Sequence, residues 1–280
     1  MCHAPLALAC PHRCASIPDS SFLVCHGCSR VRRGRSRPWS FSLGTEGYNT
    51  FRIPAIVRAP NGDLLAFAEG RKNSRSDTGD IDLLLKRSSD GGKTWGPIQL
   101  LWDDADNTCG NPCPVVDEKT GAIVLLSTHN LGHEKEDEIS YGKSRAGRTV
   151  WVLESKDNGA TWTKPVNVTE GIKKPDWSWY ATGPGIGIQI KAGPNAGRLV
   201  IPSDHDYLED GKSIRASHAI FSDDHGKTWQ LGGVIRPHMN ECQVVELFDG
   251  KGTLLMDMRS YRGLGATRSK PQHRRRCYLD

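Results

Sequence analysis

The sequence predicts an all-β fold, a β-propeller of four-stranded antiparallel blades, on three observations. First, one eight-residue pattern occurs three times, as Ser88-Ser-Asp90-Gly-Gly92-Lys-Thr94-Trp95, Ser155-Lys-Asp157-Asn-Gly159-Ala-Thr161-Trp162 and Ser222-Asp-Asp224-His-Gly226-Lys-Thr228-Trp229, with its central aspartates 67 residues apart each time. Second, short aliphatic and β-branched segments bounded by Gly, Asn and Asp fill the intervals. Third, no amphipathic helical period separates those segments. A fixed period of this kind means repeated supersecondary units that bury their apolar faces against neighbours.

The elements follow in order. Phe51–Val57, Asp63–Glu69 and Ile81–Arg87 precede the first repeated turn, and Ile98–Trp102 follows it. The second unit reads Cys113–Val116, Ile123–Ser127 and Thr149–Glu154, then its turn and Val166–Thr169. The third reads Gly185–Ile190, Leu199–Pro202 and Ser217–Phe221, then its turn and Gln230–Ile235. A fourth begins with Gln243–Leu247 and Thr253–Met258. The repeated turn thus falls between the third and fourth strand of each blade, and about three and a half blades are expected. Within the turn the aspartate accepts backbone N–H bonds, glycine takes positive φ, and tryptophan anchors the turn on apolar neighbours.

Charge and cysteine usage separate the ends from the middle. The formal net charge is +5, yet residues 1–40 carry six Arg against Asp19, and residues 263–280 carry four Arg and one Lys against Asp280. The repeat region, residues 41–262, is therefore net acidic, and nothing in it argues for nucleic-acid binding. Residues 1–40 read as a disordered leader of unclear origin and 263–280 as a basic, unpatterned tail. Cys25-His-Gly-Cys28 with Cys10 and Cys14 has the spacing of a zinc site. Its flanks carry no strand or helix pattern, so no metal or other cofactor is expected. Cys109, Cys113 and Cys242 alone fall in the repeat region, too few for a disulfide framework. No apolar run of 18 residues predicts a membrane span. Asn167-Val-Thr169 is a glycosylation sequon, usable only on a chain exported from a eukaryotic cell.

Further motifs carry a family resemblance. Tyr48-Asn-Thr-Phe51-Arg52-Ile53-Pro54 resembles the F/Y-R-I-P motif that opens the sialidase (neuraminidase) propeller, and the repeated turns resemble that family's Asp boxes. Ala66-Phe-Ala-Glu69-Gly-Arg71, Ser76-Asp77-Thr-Gly, Asn111-Pro-Cys-Pro114, Gly183-Pro-Gly185, Asn240-Glu241-Cys242-Gln243 and Asp257-Met-Arg259-Ser continue the resemblance over residues 44–262. It implies a sialidase-type propeller, six-bladed in the family, and an exo-α-sialidase that releases terminal α-linked sialic acid from glycoproteins, gangliosides or oligosaccharides. The partners are then sialylated glycans.

The chemistry makes the motifs intelligible. A sialoside bears a carboxylate on its anomeric carbon, and planar guanidinium groups bind carboxylates through paired, charge-assisted bonds. By motif match Arg52 and Arg259 are two of the family's three carboxylate-binding arginines. Glu69 matches the acid that orients the first, with Arg71 a pocket-wall contact. Sialidases use tyrosine as nucleophile, and a neutral phenol needs an adjacent base. Glu241 matches the tyrosine-activating glutamate, and Asp77 the loop aspartate that serves as general acid and then base. Asp80 is its rival. Asn111 sits where the family contacts the sugar's pendant groups. The Asp204-His205-Asp206-Tyr207 cluster lines the rim or is a metal-free polar loop. Asp176-Trp-Ser-Trp-Tyr180 reads as an exposed aromatic run, packed on an edge strand in preference to stacking on carbohydrate.

The resemblance also places the third arginine and the nucleophilic tyrosine in later blades, beyond the second arginine. Tyr278 has no blade between it and Arg259 to aim it inward, so no nucleophile is assigned in this chain. Two readings follow: a retaining exo-α-sialidase in truncated form, unstable and inactive or weakly active in isolation, or a non-catalytic sialoglycan-binding or structural propeller fragment.

Overall fold

The computed structural model describes residues 40–261 and the strand His273–Leu279. The first unit is the meander β1 (Thr50–Arg58), β2 (Leu64–Arg71), β3 (Ile81–Ser88) and β4 (Gln99–Trp102). The second is β5 (Thr108–Val116), β6 (Ile123–Asn130), β7 (Thr149–Ser155) and β8 (Val166–Asn167), with the short helix α1 (Glu136–Ser140) between β6 and β7. In the third, β9 (Trp177–Thr182) and β10 (Ile188–Gln189) both pair with β11 (Leu199–Glu209), followed by β12 (Lys212–Ser222) and β13 (Gln230–Ile235). The fourth comprises β14 (Met239–Glu246), β15 (Leu254–Ser260) and β16 (His273–Leu279). Every segment expected from the sequence overlaps a strand.

Three expectations need correction. The 263–280 stretch lacks strand patterning, yet His273–Leu279 forms β16, paired antiparallel with β15 from Leu254↔Leu279 to Ser260↔His273. An open sheet edge offers N–H and C=O groups to an extended segment whatever its side chains. Asp204 to Tyr207 are not a loop but the middle of β11, and all four are buried. The aromatic run is likewise interior: Trp177, Trp179 and Tyr180 lie on β9 and are buried. The cysteine cluster of residues 1–39 lies outside the described residues.

Each pair of neighbouring units shares its own apolar cluster. Phe67 and Leu85 of the first unit pack with Leu125 and Leu153 of the second. Val124 and Leu126 pack with Ile201 and Ile220 of the third, and Val200 packs with Val244 and Met256 of the fourth. β2 and β6 are buried almost throughout because a sheet covers each of their faces. The three described thiols, Cys109, Cys113 and Cys242, sit on innermost strands inside these clusters, none in a disulfide, and burial pushes each thiol upward.

The repeated turns do more than reverse the chain. In the second, Asp157 Oδ1 accepts from Ser155 Oγ at 2.9 Å and Thr161 N at 2.9 Å, and Oδ2 from Thr161 Oγ1. These bonds, chiefly those from Thr161, hold its carboxyl down at about 2. Asn158 and Gly159 at the apex both take left-handed φ, 59° and 79°. A Cβ on Gly159 would lie 2.8 Å from Leu65 of the preceding unit, so only glycine lets the turn dock there. Trp162 meets Phe67 edge-on at 5.8 Å, and Asn158 Oδ1 accepts from Asn61 N at 3.2 Å. The third turn repeats this one unit later: a Cβ on Gly226 would lie 3.0 Å from Val124, and His225 Nδ1 pairs with Asp117 Oδ2 at 2.7 Å. The second and third turns thus each clip onto the unit before them.

Backbone approach is tighter still at Gly132, where an added Cβ would fall 1.7 Å from the Asp106 carbonyl oxygen. The obstruction is main chain and cannot rotate away. Gly132→Ala is expected to cost more than about 2 kcal/mol, read as a lower urea midpoint at unchanged m-value.

Candidate active site

A shared interruption of the innermost strands builds the site. In β1 the pairing with β2 slips between Arg52 and Ala55, so Ile53 and Pro54 stand opposite Ala68. In β5 it slips between Gly110 and Cys113, setting Asn111 and Pro112 against Ser127. In β14 it slips between Met239 and Cys242, setting Asn240 and Glu241 against Arg259. Each bulge re-aims the side chains next to it. Two of them hold residues in the left-handed region, Ile53 at φ 51° and Asn111 at φ 53°. For a β-branched residue such as Ile53 this stores on the order of 1–3 kcal/mol of strain.

The bulges open onto one cavity of about 300 Å³. Its wall includes Arg52, Glu69, Arg71, Asp77, Asn111, Asp204, Glu241 and Arg259, every site residue taken from the sequence. Asp80 is not in that wall; it pairs with Lys72 Nζ at 3.1 Å. Among the lining residues, the sequence reading assigned no site role to Glu136, Arg148, Asn240 and Tyr261, and gave Trp179 only as a weaker alternative to edge-strand packing. Asn240 and Tyr261 adjoin Glu241 and Arg259, a signal that was available. Trp179 belongs to the Asp176–Tyr180 aromatic run, whereas Arg148 belongs to no motif and only the fold brings it in.

The charged groups form three pairs. Arg52 Nη1 donates to Asp77 Oδ1 at 2.5 Å, both side chains being about half exposed. Arg71 binds the buried Glu69 through Nε at 2.9 Å and Nη2 at 2.5 Å. Its Nη1 donates to the Arg75 and Ser76 carbonyls, 2.7 Å each, and its Nη2 reaches Asp77 Oδ1 at 2.9 Å. Arg71 therefore pins the loop that carries Asp77. Glu69 Oε1 accepts from the Asn111 backbone N–H at 2.8 Å, tying the first unit to the bulge of the second. Arg259 Nη1 donates to Glu241 Oε2 at 2.7 Å across β14 and β15.

Asp204 differs from the other acids. It is wholly buried, and burial, with Asp206 and Glu241 adding repulsion, pushes its carboxyl well above the usual range. Asn240 Nδ2 donates to its Oδ2 at 3.1 Å. Burial also raises the Tyr261 phenol, which lies under the Arg259 guanidinium at 5.1 Å. Among the described residues no cluster of His, Cys, Asp and Glu is arranged to hold a metal ion. The wall can thus bind an anion through guanidinium groups, with carboxylates beside them to move protons.

The family model for BNR repeat-like domains matches residues 62–273. A sialidase of Bacteroides fragilis is 32% identical over 233 residues, covering 79% of this chain and 41% of its own length. Human Sialidase-4 is 35% identical over 240 residues, covering 79% of this chain and 48% of its own. The chain spans about half the length, or less, of such curated relatives. Among solved structures, the Hadza microbial sialidase Hz136 superposes with a TM-score of 0.72 at 29% identity, over 84% of this chain and 45% of that one. Trypanosoma rangeli sialidase in complex with sialic acid gives 0.61 at 22% identity, over 76% and 34%, a likeness of fold alone.

Proposed function

The chain is a member of the sialidase family, and we propose that its cavity is the sialic-acid subsite of a retaining exo-α-sialidase. One observation carries this reading: Arg52 of the first unit and Arg259 of the fourth line the same cavity, each with a carboxylate partner. A substrate carboxylate would take over both guanidinium groups, since it offers the same paired oxygens as Asp77 and Glu241. Binding would then free those two acids for the reaction.

In that reaction Asp77 would give its proton to the departing glycosidic oxygen, while Glu241 would take the proton of an attacking tyrosine, which the family resemblance places in later blades than those of this chain. The tyrosine oxygen bonds to the anomeric carbon as the bond to the leaving group breaks. Asp77, now ionised, deprotonates the water that releases the sugar. Asp204, its carboxyl pushed upward by burial, and Asn111 would hydrogen-bond the sugar's hydroxyl and pendant groups. A second cavity, about 620 Å³, shares Glu136 and Tyr261 with the first and would receive the remaining glycan.

Titration of the full chain with N-acetylneuraminic acid, beside hydrolysis of a fluorogenic sialoside, tests the proposal. Arg52→Ala and Arg259→Ala are each expected to weaken binding by about 10–100-fold, and Asp77→Ala to abolish release of the fluorophore while binding persists. Binding that is absent, or indifferent to both arginines, would refute it. A second reading, sialoglycan binding without turnover, is favoured by one feature. Among the described residues Tyr261 is the tyrosine at the cavity, and partial desolvation raises its phenol, the opposite of the shift that would activate a nucleophile. Binding of sialyllactose with hydrolysis equal to the buffer blank would select it.

A further inference from the structure

Arg148 immediately precedes β7 and is 2% exposed, yet it lines the cavity. Its guanidinium lies 4.0 Å over the Trp179 ring, and Nη2 donates to Asn111 Oδ1 at 2.8 Å. Nε is buried without a hydrogen-bond partner. Among the described residues no carboxylate approaches Arg148 within ion-pair distance, whereas Arg52, Arg71 and Arg259 each have one. Burial lowers its pKa only to about 10, so it stays charged at neutral pH. A buried charge with neither counter-ion nor full hydrogen bonding is strongly unfavourable unless something else supplies acceptors.

The position says what could supply them. The carboxylate-binding pair comes from the first and fourth units, whereas Arg148 and Asn111 come from the second. A sugar acid held through its carboxylate at Arg52 and Arg259 presents to Arg148 a ring substituent remote from that carboxylate. Trp179 covers one face of the guanidinium and Asn111 holds one end, so the remaining donors point in fixed directions.

We propose that Arg148 is a specificity-determining residue that donates a hydrogen bond to an acceptor oxygen, hydroxyl or amide, on the sugar ring away from its carboxylate. This rests on the sialic-acid reading of the cavity. The rival is a bracing role, in which Arg148 only steadies Asn111 and touches no ligand.

The test titrates the full chain and its Arg148→Met and Arg148→Lys variants with N-acetylneuraminic acid. Analogues that each lack one ring hydroxyl, or the acylamino group, complete the panel. Arg148→Met is expected to lose tenfold or more in affinity for the parent acid and less than twofold for the one analogue that lacks the contacted oxygen. Arg148→Lys, which keeps the charge but not the fork, recovers part of the loss. In unmutated protein the Arg148 guanidinium NMR resonances shift when the parent acid is added, a readout that needs no variant to fold. Equal losses across all analogues, or resonances unmoved by a bound ligand, overturn the proposal in favour of bracing. If the unmutated chain binds none of the sugars, the sialic-acid reading fails as well, and the two failures are told apart by whether the wild type binds.

Discussion

Glu69→Ala is expected to lower stability by about 3–5 kcal/mol, the penalty for leaving a buried charge without its partner. For a domain of this size that is a fall of roughly 6–20 °C in Tm. Glu69 and Arg71 are each 2% exposed, and the carboxylate holds both Arg71 nitrogens and the Asn111 N–H. Removal leaves Arg71 Nε and the Asn111 N–H without their acceptor, on two units at once, and leaves the half-exposed Asp77 as the remaining counter-ion of Arg71. Glu69→Gln keeps acceptors in place but no charge, and should fall between. The damage should also reach the ligand site, because Arg71 Nη1 holds the Arg75 and Ser76 carbonyls next to Asp77. Urea denaturation measures the first effect, and sialic-acid affinity at a temperature where the variant is folded measures the second. A loss below 1 kcal/mol would mean that water reaches Arg71 and that the pair is not buried in solution.

A second large effect is expected with acid. His205 and His218 lie inside the third unit with Nδ1 atoms 3.0 Å apart, His205 stacked 3.3 Å from Trp177. Burial lowers both imidazoles below their usual value, so both are neutral in the folded chain. An unfolded chain takes up protons below about pH 6.5, and the folded one does not. Stability from this pair is therefore fully present above pH 6.5 and is lost as pH falls, at about 1.4 kcal/mol per pH unit for each histidine. By pH 5 the loss from the two approaches about 4 kcal/mol. Asp204 acts in the opposite sense: its raised carboxyl binds a proton in the folded state, a contribution kept at low pH and lost as pH rises. The informative quantity is thus the difference in pH dependence between wild type and a His205→Phe/His218→Phe variant, by urea midpoints from pH 7.5 to 5. A variant that follows the wild-type slope would show that water or a proton already satisfies the pair.

Local chemistry explains what could be read before any coordinates. The turns at Asp90, Asp157 and Asp224 are set by hydrogen bonds between residues at most four apart, so their sequence carries them whole. Strand positions followed because aliphatic runs ended by Gly, Asn and Asp fold the same way in each unit. Motif matching then supplied Arg52, Asp77, Glu241 and Arg259. Where reading failed, burial or an open sheet edge was the cause. Asp204-His205-Asp206-Tyr207 is polar by composition, and only the sheets on either side of β11 make it interior. The aromatic run of β9 is the same case with the opposite chemistry, and β16 forms because β15 leaves an edge, not because His273–Leu279 alternates.

The sequence by itself determined a repeated β architecture, its period, and a set of guanidinium and carboxylate residues suited to an acid sugar. Each of those is written in residue type and in spacing along the chain. Only the tertiary structure decided that bulges in β1, β5 and β14 converge on one cavity, that Asp204 is buried with its carboxyl pushed upward, and that Arg148 joins the wall without a counter-ion. These depend on which chains lie across from one another and on how far water is excluded between them, and no stretch of sequence encodes either alone.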